Sequence, residues 1–249
     1  MRIAIVGGAG TLGRHVTADL AGRGHEVRVL SRSSQAFPVD LSTGAGLAAA
    51  LAGCAAVVDA TNSQRRSRQV LVEGSGRLLA AEQQAGVGHH VCISIVGCDR
   101  LPLGYYRVKV EQEQVVARGP VPWTIVRATQ FHELAASMFA AAARYRVLPA
   151  LRLPMQPVAA AEVAMAVADA AECAPEGRRV QVAGPQVSSA ADLARSWRSV
   201  TGRAAVLVPV PLPGRLGREL RAGALTTNQA EVVGTVTFAD WLTTSSGDG

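Results

Sequence analysis

The chain has 249 residues, 49% of them hydrophobic and 18% charged, with 25 Lys+Arg against 19 Asp+Glu and a formal net charge of +6. That composition can bury a full core in one domain with a small appendage, and it excludes a disordered or fibrous chain. No run of about 18 apolar residues is present to span a bilayer, and the glycine turn after Arg2–Val6 stands where a signal peptide would need its apolar stretch, so a cytoplasmic protein without a membrane partner is expected.

Arg2–Val6 is a short β-branched run, followed by the turn "GGAGTLG" and by Leu12, Val16 and Leu20 at helical spacing up to a stop at Gly22-Arg23-Gly24. This predicts strand, glycine turn and helix. Glu26–Leu30 reads as a second strand, Val39–Leu41 as a brief third, Leu47–Leu51 as a short helix and Ala55–Asp59 as a fourth strand. A helical segment runs from about Val70 to Gly86, a fifth strand covers His90–Ser94, a helix covers 105–118 and a sixth strand covers Trp123–Val126. Strands alternating with helices predict α/β architecture, a doubly wound parallel sheet, because each parallel connection needs a crossover long enough for a helix. After residue 130 the pattern changes to a mixed, helix-rich region. Segments 132–143, 160–171 and 189–200 read as helical, separated by the proline clusters "LPALRLPMQP" and "VPVPLPG", with one more strand at Arg179–Val182. The expected organisation is a nucleotide-binding core over 1–130, a smaller substrate-binding lid over 131–243 with a segment returning to the sheet, and a disordered tail over 244–249.

The arginine-dense stretches "RRSR" (65–68) and "RLGRELR" (215–221) have few aromatic neighbours on which bases could stack, so no nucleic-acid partner is expected; a basic balance also suits an anionic cofactor. Cys54, Cys92, Cys98 and Cys173 are scattered without paired ligand spacing, which favours neither disulfides nor a metal, and Cys54 and Cys92 border apolar runs that read as core. His89-His90 would point to opposite faces of a strand, a poor chelating geometry, and reads as a surface pair.

Gly7-x-x-Gly10-x-x-Gly13 lies between the first strand and the first helix, where glycines permit a tight turn, close approach to a pyrophosphate and close helix packing. Dinucleotide binding is the prediction. At the end of the second strand, Leu30-Ser31-Arg32-Ser33-Ser34, an NAD-selective site would place an acid for the ribose 2′-hydroxyl, whereas this chain has Arg32. A guanidinium takes a 2′-phosphate by a bidentate pair, so NADP(H) is preferred over NAD(H). Lys109 is the sole lysine, against 24 arginines, and it falls four residues after Tyr105, on the same face of a helix. An ammonium there can bond both ribose hydroxyls and lower the pKa of the phenol, making Tyr105 a usable proton donor or acceptor, with Tyr106 competing for that role.

These residues, with "VCISIVGCDRLPLGYYRVKVEQE" and "PWTIVRATQFHE", resemble the NmrA-like group of atypical short-chain dehydrogenase/reductases. The resemblance implies a Rossmann domain that binds NAD(P) and a small carboxyl-terminal substrate domain. It gives Gly7, Gly10, Thr11, Leu12 and Gly13 to the pyrophosphate turn, Arg32 to the 2′-phosphate and Asp40 to the adenine amino group. Ala60, Thr61 and Asn62 would line the cofactor, and Lys109 would hold the nicotinamide ribose. Tyr106, Gln130, Phe131 and His132 would face the substrate, after Thr129 at the end of the sixth strand. Ordinary members of the superfamily add a serine as the second of a Ser-Ser pair; here the pair reads Ser94-Ile95, and Ser94 is the candidate third member of a Ser-Tyr-Lys set.

The implied activity is reduction of a carbonyl, quinone or enone of a small apolar molecule, with Tyr105 as proton donor and Lys109 on the ribose. Phe131, Met138, Met155 and Pro157 are candidate pocket residues, and His132 a candidate second proton donor. The alternatives are an epimerase or dehydratase that recycles bound nucleotide, and a redox sensor that binds the cofactor without turnover. A homo-oligomer fits any of these, and no metal is invoked.

Overall fold

The computed structural model describes residues 1–101 and 103–245. The chain begins with β1 (Arg2–Val6), α1 (Thr11–Gly22), β2 (Glu26–Leu30), α2 (Leu47–Leu51) and β3 (Ala56–Asp59). A π-helical turn over Arg68–Glu73 leads into α3 (Gly74–Ala85), followed by β4 (His89–Ile95), α4 (Gly104–Ala117) and β5 (Trp123–Ala128). Later in the chain come α6 (Ala160–Glu172), β8 (Arg179–Ala183) and β11 (Val232–Val233). Together the strands form a seven-stranded parallel sheet in the order β11-β8-β5-β4-β3-β1-β2. The strand sequences explain the arrangement, since Ile3–Val6 and Ala56–Asp59 are buried without interruption, as strands covered on both faces require.

β1 pairs β2 on one side and β3 on the other, so the winding direction reverses there. Such a reversal opens a crevice at the carboxyl ends of the two strands, between the loops that leave them. One sheet face carries a continuous core that includes Leu30, Leu47, Leu51, Val57, Leu78, Leu79, Cys92 and Ile125. Each fully buried leucine among them contributes about 1.5–3 kcal/mol of transfer free energy.

The expected third strand at Val39–Leu41 is not in the sheet. Pro38 removes a backbone donor just before it, and the segment is held instead by isolated bridges, Ser31 to Pro38 and Asp40 to Ala45, while Val39 and Leu41 still pack into the core. The alternating apolar pattern there reports burial from a loop. His89 and His90 are also not on the surface: both lie buried inside β4, on opposite faces as their adjacency requires.

The chain divides into two interleaved units. The first comprises Met1–Ser94, Gly104–Arg127 and Val163–Val180; the second takes 95–103, 128–162 and the chain from Gln181 onward. Val163–Val180 thus returns to the first unit, and Ile95–Leu103 leaves it early. The second unit packs α5 (His132–Ala143), α7 (Ala190–Thr201) and α9 (Phe238–Ser245) around Phe139, Trp197 and Phe238, with Trp241 against them. α7 is capped by Ser189, whose hydroxyl accepts from the Asp192 amide. The proline clusters that separate the predicted helices contribute to short strands: β6 (Val147–Ala150) pairs β10 (Val206–Pro209), and β7 (Pro154–Met155) pairs β9 (Ser188–Ser189). Proline is tolerated there because each sheet has two strands and therefore only edges. α9 makes residues 244 and 245 helical where a disordered tail was expected; the rest of that tail, 246–249, lies outside the described residues. Among the described residues no helix is long and apolar enough to cross a membrane.

Candidate cofactor and active site

The glycine turn is fixed by contacts that a side chain would break. Gly7 has φ +77°, and a Cβ on it would lie 2.8 Å from the Ala60 carbonyl oxygen. A Cβ on Gly13 would fall 2.2 Å from the Gly7 carbonyl oxygen, so the first turn of α1 sits directly on the turn backbone. Gly7 N–H donates to Leu30 O and Ala60 N–H to Val6 O, tying the loops after β1 and β3 to the adjoining strands. α1 starts at Gly10 without a side-chain cap and without an acid in its first turn. Uncapped amides at the positive end of a helix, reached over glycine backbone, fit the pyrophosphate of a dinucleotide. Gly7, Gly10, Thr11, Leu12 and Gly13 are thus all on the elements that would hold it.

Arg32 is exposed just beyond β2, whose last residue Leu30 pairs with Val6. Ser31 and Ser33 hydroxyls lie 3.3 Å apart beside it. Asp40 accepts from both the amide and the hydroxyl of Ser42, which hold its carboxyl below the usual range, with Arg32 and Arg66 adding to the effect. The placement of Arg32 is open for an anionic group, while Asp40 is engaged in its own turn.

Tyr105 and Lys109 lie one turn apart on α4, as predicted, yet they serve different partners. The Tyr105 hydroxyl donates to Asn62 Oδ1 at 2.8 Å. Its ring packs edge to face against Tyr106. Burial, with Tyr106 beside it, pushes the phenol up to about 12, so the expected lowering by the lysine is not what the site does. Lys109, only 3% exposed, turns its ammonium inward and donates to Ile93 O and to Gln112 Oε1, both at 2.6 Å. Ser94 is buried and partners Glu113, a carboxylate that also takes Arg127 and Arg179. Burial raises Glu113, but the two guanidiniums and Ser94 outweigh it and hold its carboxyl below the usual range.

Two groups of functional side chains were not read from the sequence. Asp59, at the carboxyl end of β3, accepts from Thr61 N–H and Oγ through one oxygen and from Ser75 Oγ and Gln112 Nε2 through the other. Beside it, His90 Nδ1 bonds both oxygens of Glu82, in a fully buried pair. Burial lowers the His90 pKa, but the Glu82 carboxylate, with Cys92, carries it well above the ordinary value. Asp59, His90 and Cys92 have donor atoms within 4.8 Å of one another, but Asp59 and His90 are already committed to these partners. The signal in the sequence was period two on one strand: His90 and Cys92 share a face, and Asp59 is the register partner of Cys92.

In the second unit, Gln130 is satisfied at both ends, donating to Leu225 O and accepting from the Gln156 amide. His132 is fully buried, with Nε2 3.0 Å from Val236 O and its ring against Phe238 and Trp241. Burial lowers its pKa, so it is a neutral core residue. Phe131 is half-buried, at the cap position of α5 and in a bridge with Val158. Of the candidate pocket residues, Met138 is exposed and Met155 packs on the aromatic core.

Fold and glycine turn together define a dinucleotide-binding α/β protein. An NAD(P)H-binding family model matches residues 7–174, and the chain belongs to that family. It is 31% identical over 218 residues to (4-alkanoyl-5-oxo-2,5-dihydrofuran-3-yl)methyl phosphate reductase of Streptomyces griseus, covering 81% of this chain and 74% of that one. Photosystem II assembly factor Ycf39 of Trieres chinensis is 28% identical over 149 residues, 53% of this chain and 47% of the factor. The chain thus spans about half the length of that assembly factor and of its Synechocystis counterpart. In fold it is similar to an NADPH-dependent quinone oxidoreductase of Escherichia coli solved with NADPH, at TM-score 0.81 and 21% identity, covering 98% of this chain and 99% of that one.

Proposed function

We propose that the chain is an NADPH-dependent reductase acting on the carbonyl, quinone or enone of a small apolar molecule. The observation that carries this reading is the Tyr105 phenol, bonded to the loop after β3 and set one turn from a buried lysine. Bound nicotinamide supplies the hydride. The phenol, pushed up to about 12, keeps its proton at neutral pH and gives it up only as hydride transfer makes the substrate oxygen basic enough to take it. Its O–H bond breaks as the developing substrate oxyanion takes the proton, and solvent restores it. Asn62 Oδ1 accepts that hydrogen bond in the free protein, and a substrate oxygen would take its place. Lys109 holds the ribose hydroxyls, Arg32 takes the 2′-phosphate, and NADP(H) is preferred over NAD(H). Among the predicted substrate residues, Tyr106, next to Tyr105 on α4, keeps a half-buried ring and is assigned to substrate contact.

A second reading, a cofactor-binding sensor without turnover, is favoured by the engagement of Ser94 with Glu113. That leaves two catalytic candidates instead of three. Tyr105→Phe is expected to lower NADPH consumption with quinones, aldehydes and ketones by about 10²–10⁴-fold at unchanged NADPH affinity. Arg32→Asp is expected to move the preference toward NADH. Protein that binds NADPH but consumes none across the panel, with Tyr105→Phe indistinguishable from wild type, would replace the reductase by the sensor.

A further inference from the structure

We propose that Gln112, locked by Asp59 and Ser75, is the positioning residue for Lys109, an inference that rests on the reading of Lys109 as the ribose-holding group. Gln112 lies one turn after Lys109 on α4 and is 1% exposed. Its Oε1 accepts from the ammonium at 2.6 Å, while its Nε2 donates at 3.1 Å to Asp59 Oδ2 and at 3.1 Å to Ser75 Oγ. The amide can point only one way. Lysine has donors and no acceptor, and an ionised carboxylate has acceptors and no donor, so reversing the amide would set donor against donor and oxygen against oxygen. Ile93 O takes a second ammonium N–H at 2.6 Å. Two of three N–H groups are thereby spent inward, and the direction of the third is dictated by the first two.

Asp59 does the same for the neighbouring loop. Its Oδ1 takes the amide and hydroxyl of Thr61, next to Asn62, which accepts from Tyr105. One carboxylate at the end of β3 therefore sets both the loop that meets the phenol and the amide that aims the ammonium. Because Asp59, Ser75, Lys109 and Gln112 are buried and bonded to one another, the arrangement is stiff, and any single loss leaves a buried partner unpaired.

NADPH fluorescence titrations, with a thermal melt of each nucleotide-free variant, test this directly. Lys109→Met and Gln112→Met are each expected to weaken NADPH binding about tenfold, and the double variant is expected to bind no worse than Lys109→Met, because both remove one interaction. Asp59→Asn sets an amide donor against Gln112 Nε2 and is expected to weaken binding similarly. Combining Asp59→Asn with Gln112→Glu exchanges the carboxylate and the amide, returns an acceptor to Lys109 and is expected to restore affinity to within about twofold. Gln112→Met that folds and binds NADPH as wild type does overturns the inference. So does an additive loss in the Lys109→Met/Gln112→Met pair, an Asp59→Asn variant of wild-type affinity, or an exchanged pair no better than Asp59→Asn. Should Gln112→Met fail to fold, the exchanged pair decides. Wild-type affinity in Lys109→Met would instead remove the ribose reading itself, a result distinct from a loss in Lys109→Met with none in Gln112→Met.

Discussion

At the scale of single residues, Gly13 has the least freedom. The atoms a methyl group would meet, Gly7 O at 2.2 Å and Gly8 Cα at 2.6 Å, are backbone and cannot rotate aside. Gly13→Ala is expected to cost about 1–3 kcal/mol by forced displacement of the turn and to abolish NADPH binding. Calorimetry and titration check it; a variant that melts and binds as wild type does would show that the turn is not as tight as described. The glycines, Arg32 and the lone lysine were legible in the sequence because each is an exception in its local setting. Asp59 and Gln112 were not, since a buried aspartate at a strand end and a glutamine in a polar helix stretch look ordinary until register places them together.

At the scale of elements, Glu113 joins three. It sits on α4 and takes Arg127 of β5 and Arg179 of β8, with Arg127 Nε at 2.8 Å from one oxygen and Arg179 Nε at 2.7 Å from the other. Glu113→Leu leaves two guanidiniums without their shared anion and is expected to cost about 3–5 kcal/mol in urea melts at neutral pH. Its pKa is depressed in the fold. The stability this contributes is therefore fully present above the unfolded value near 4.5 and is lost as pH falls through the folded one. Glu113→Gln is expected to flatten the acid limb of stability below about pH 4.5, and an unaltered limb would refute the assignment. The alternating strands and helices of the first unit were readable from period alone. The short strands β6 and β10 were not, because Pro149 and Pro209 signal a break by their covalent geometry, while pairing at an edge asks nothing of their missing N–H.

At the scale of the whole molecule, buried histidines shape the response to acid. His89 and His132 are both held neutral, their pKa values lowered chiefly by burial. For each, stability is complete above the ordinary value of 6.5 and falls as pH drops through it, because the unfolded chain takes up protons that the folded one refuses. His90 has the opposite sign, with stability present below 6.5 and lost as pH rises through its raised folded value. His132→Phe, an aromatic replacement against Phe238 and Trp241, is expected to flatten the fall in melting temperature between about pH 7 and pH 5. An unchanged slope would mean that His132 is not neutral in the fold. None of this was legible beforehand: adjacency told that His89 and His90 face opposite ways, but not that both faces are covered.

The β6/β10 pair has a consequence for behaviour in concentrated solution. Val206 and Val208 stand in solvent on a sheet of only two strands, with exposed Val210 just beyond it, which is the profile of a self-association seed. Pro209, Pro211 and Pro213 follow or interrupt them at every second place, and none of the three has an amide hydrogen to offer an incoming chain. The strand that displays its valines thus withholds, at Pro209, a rung on which a foreign ladder would have to climb.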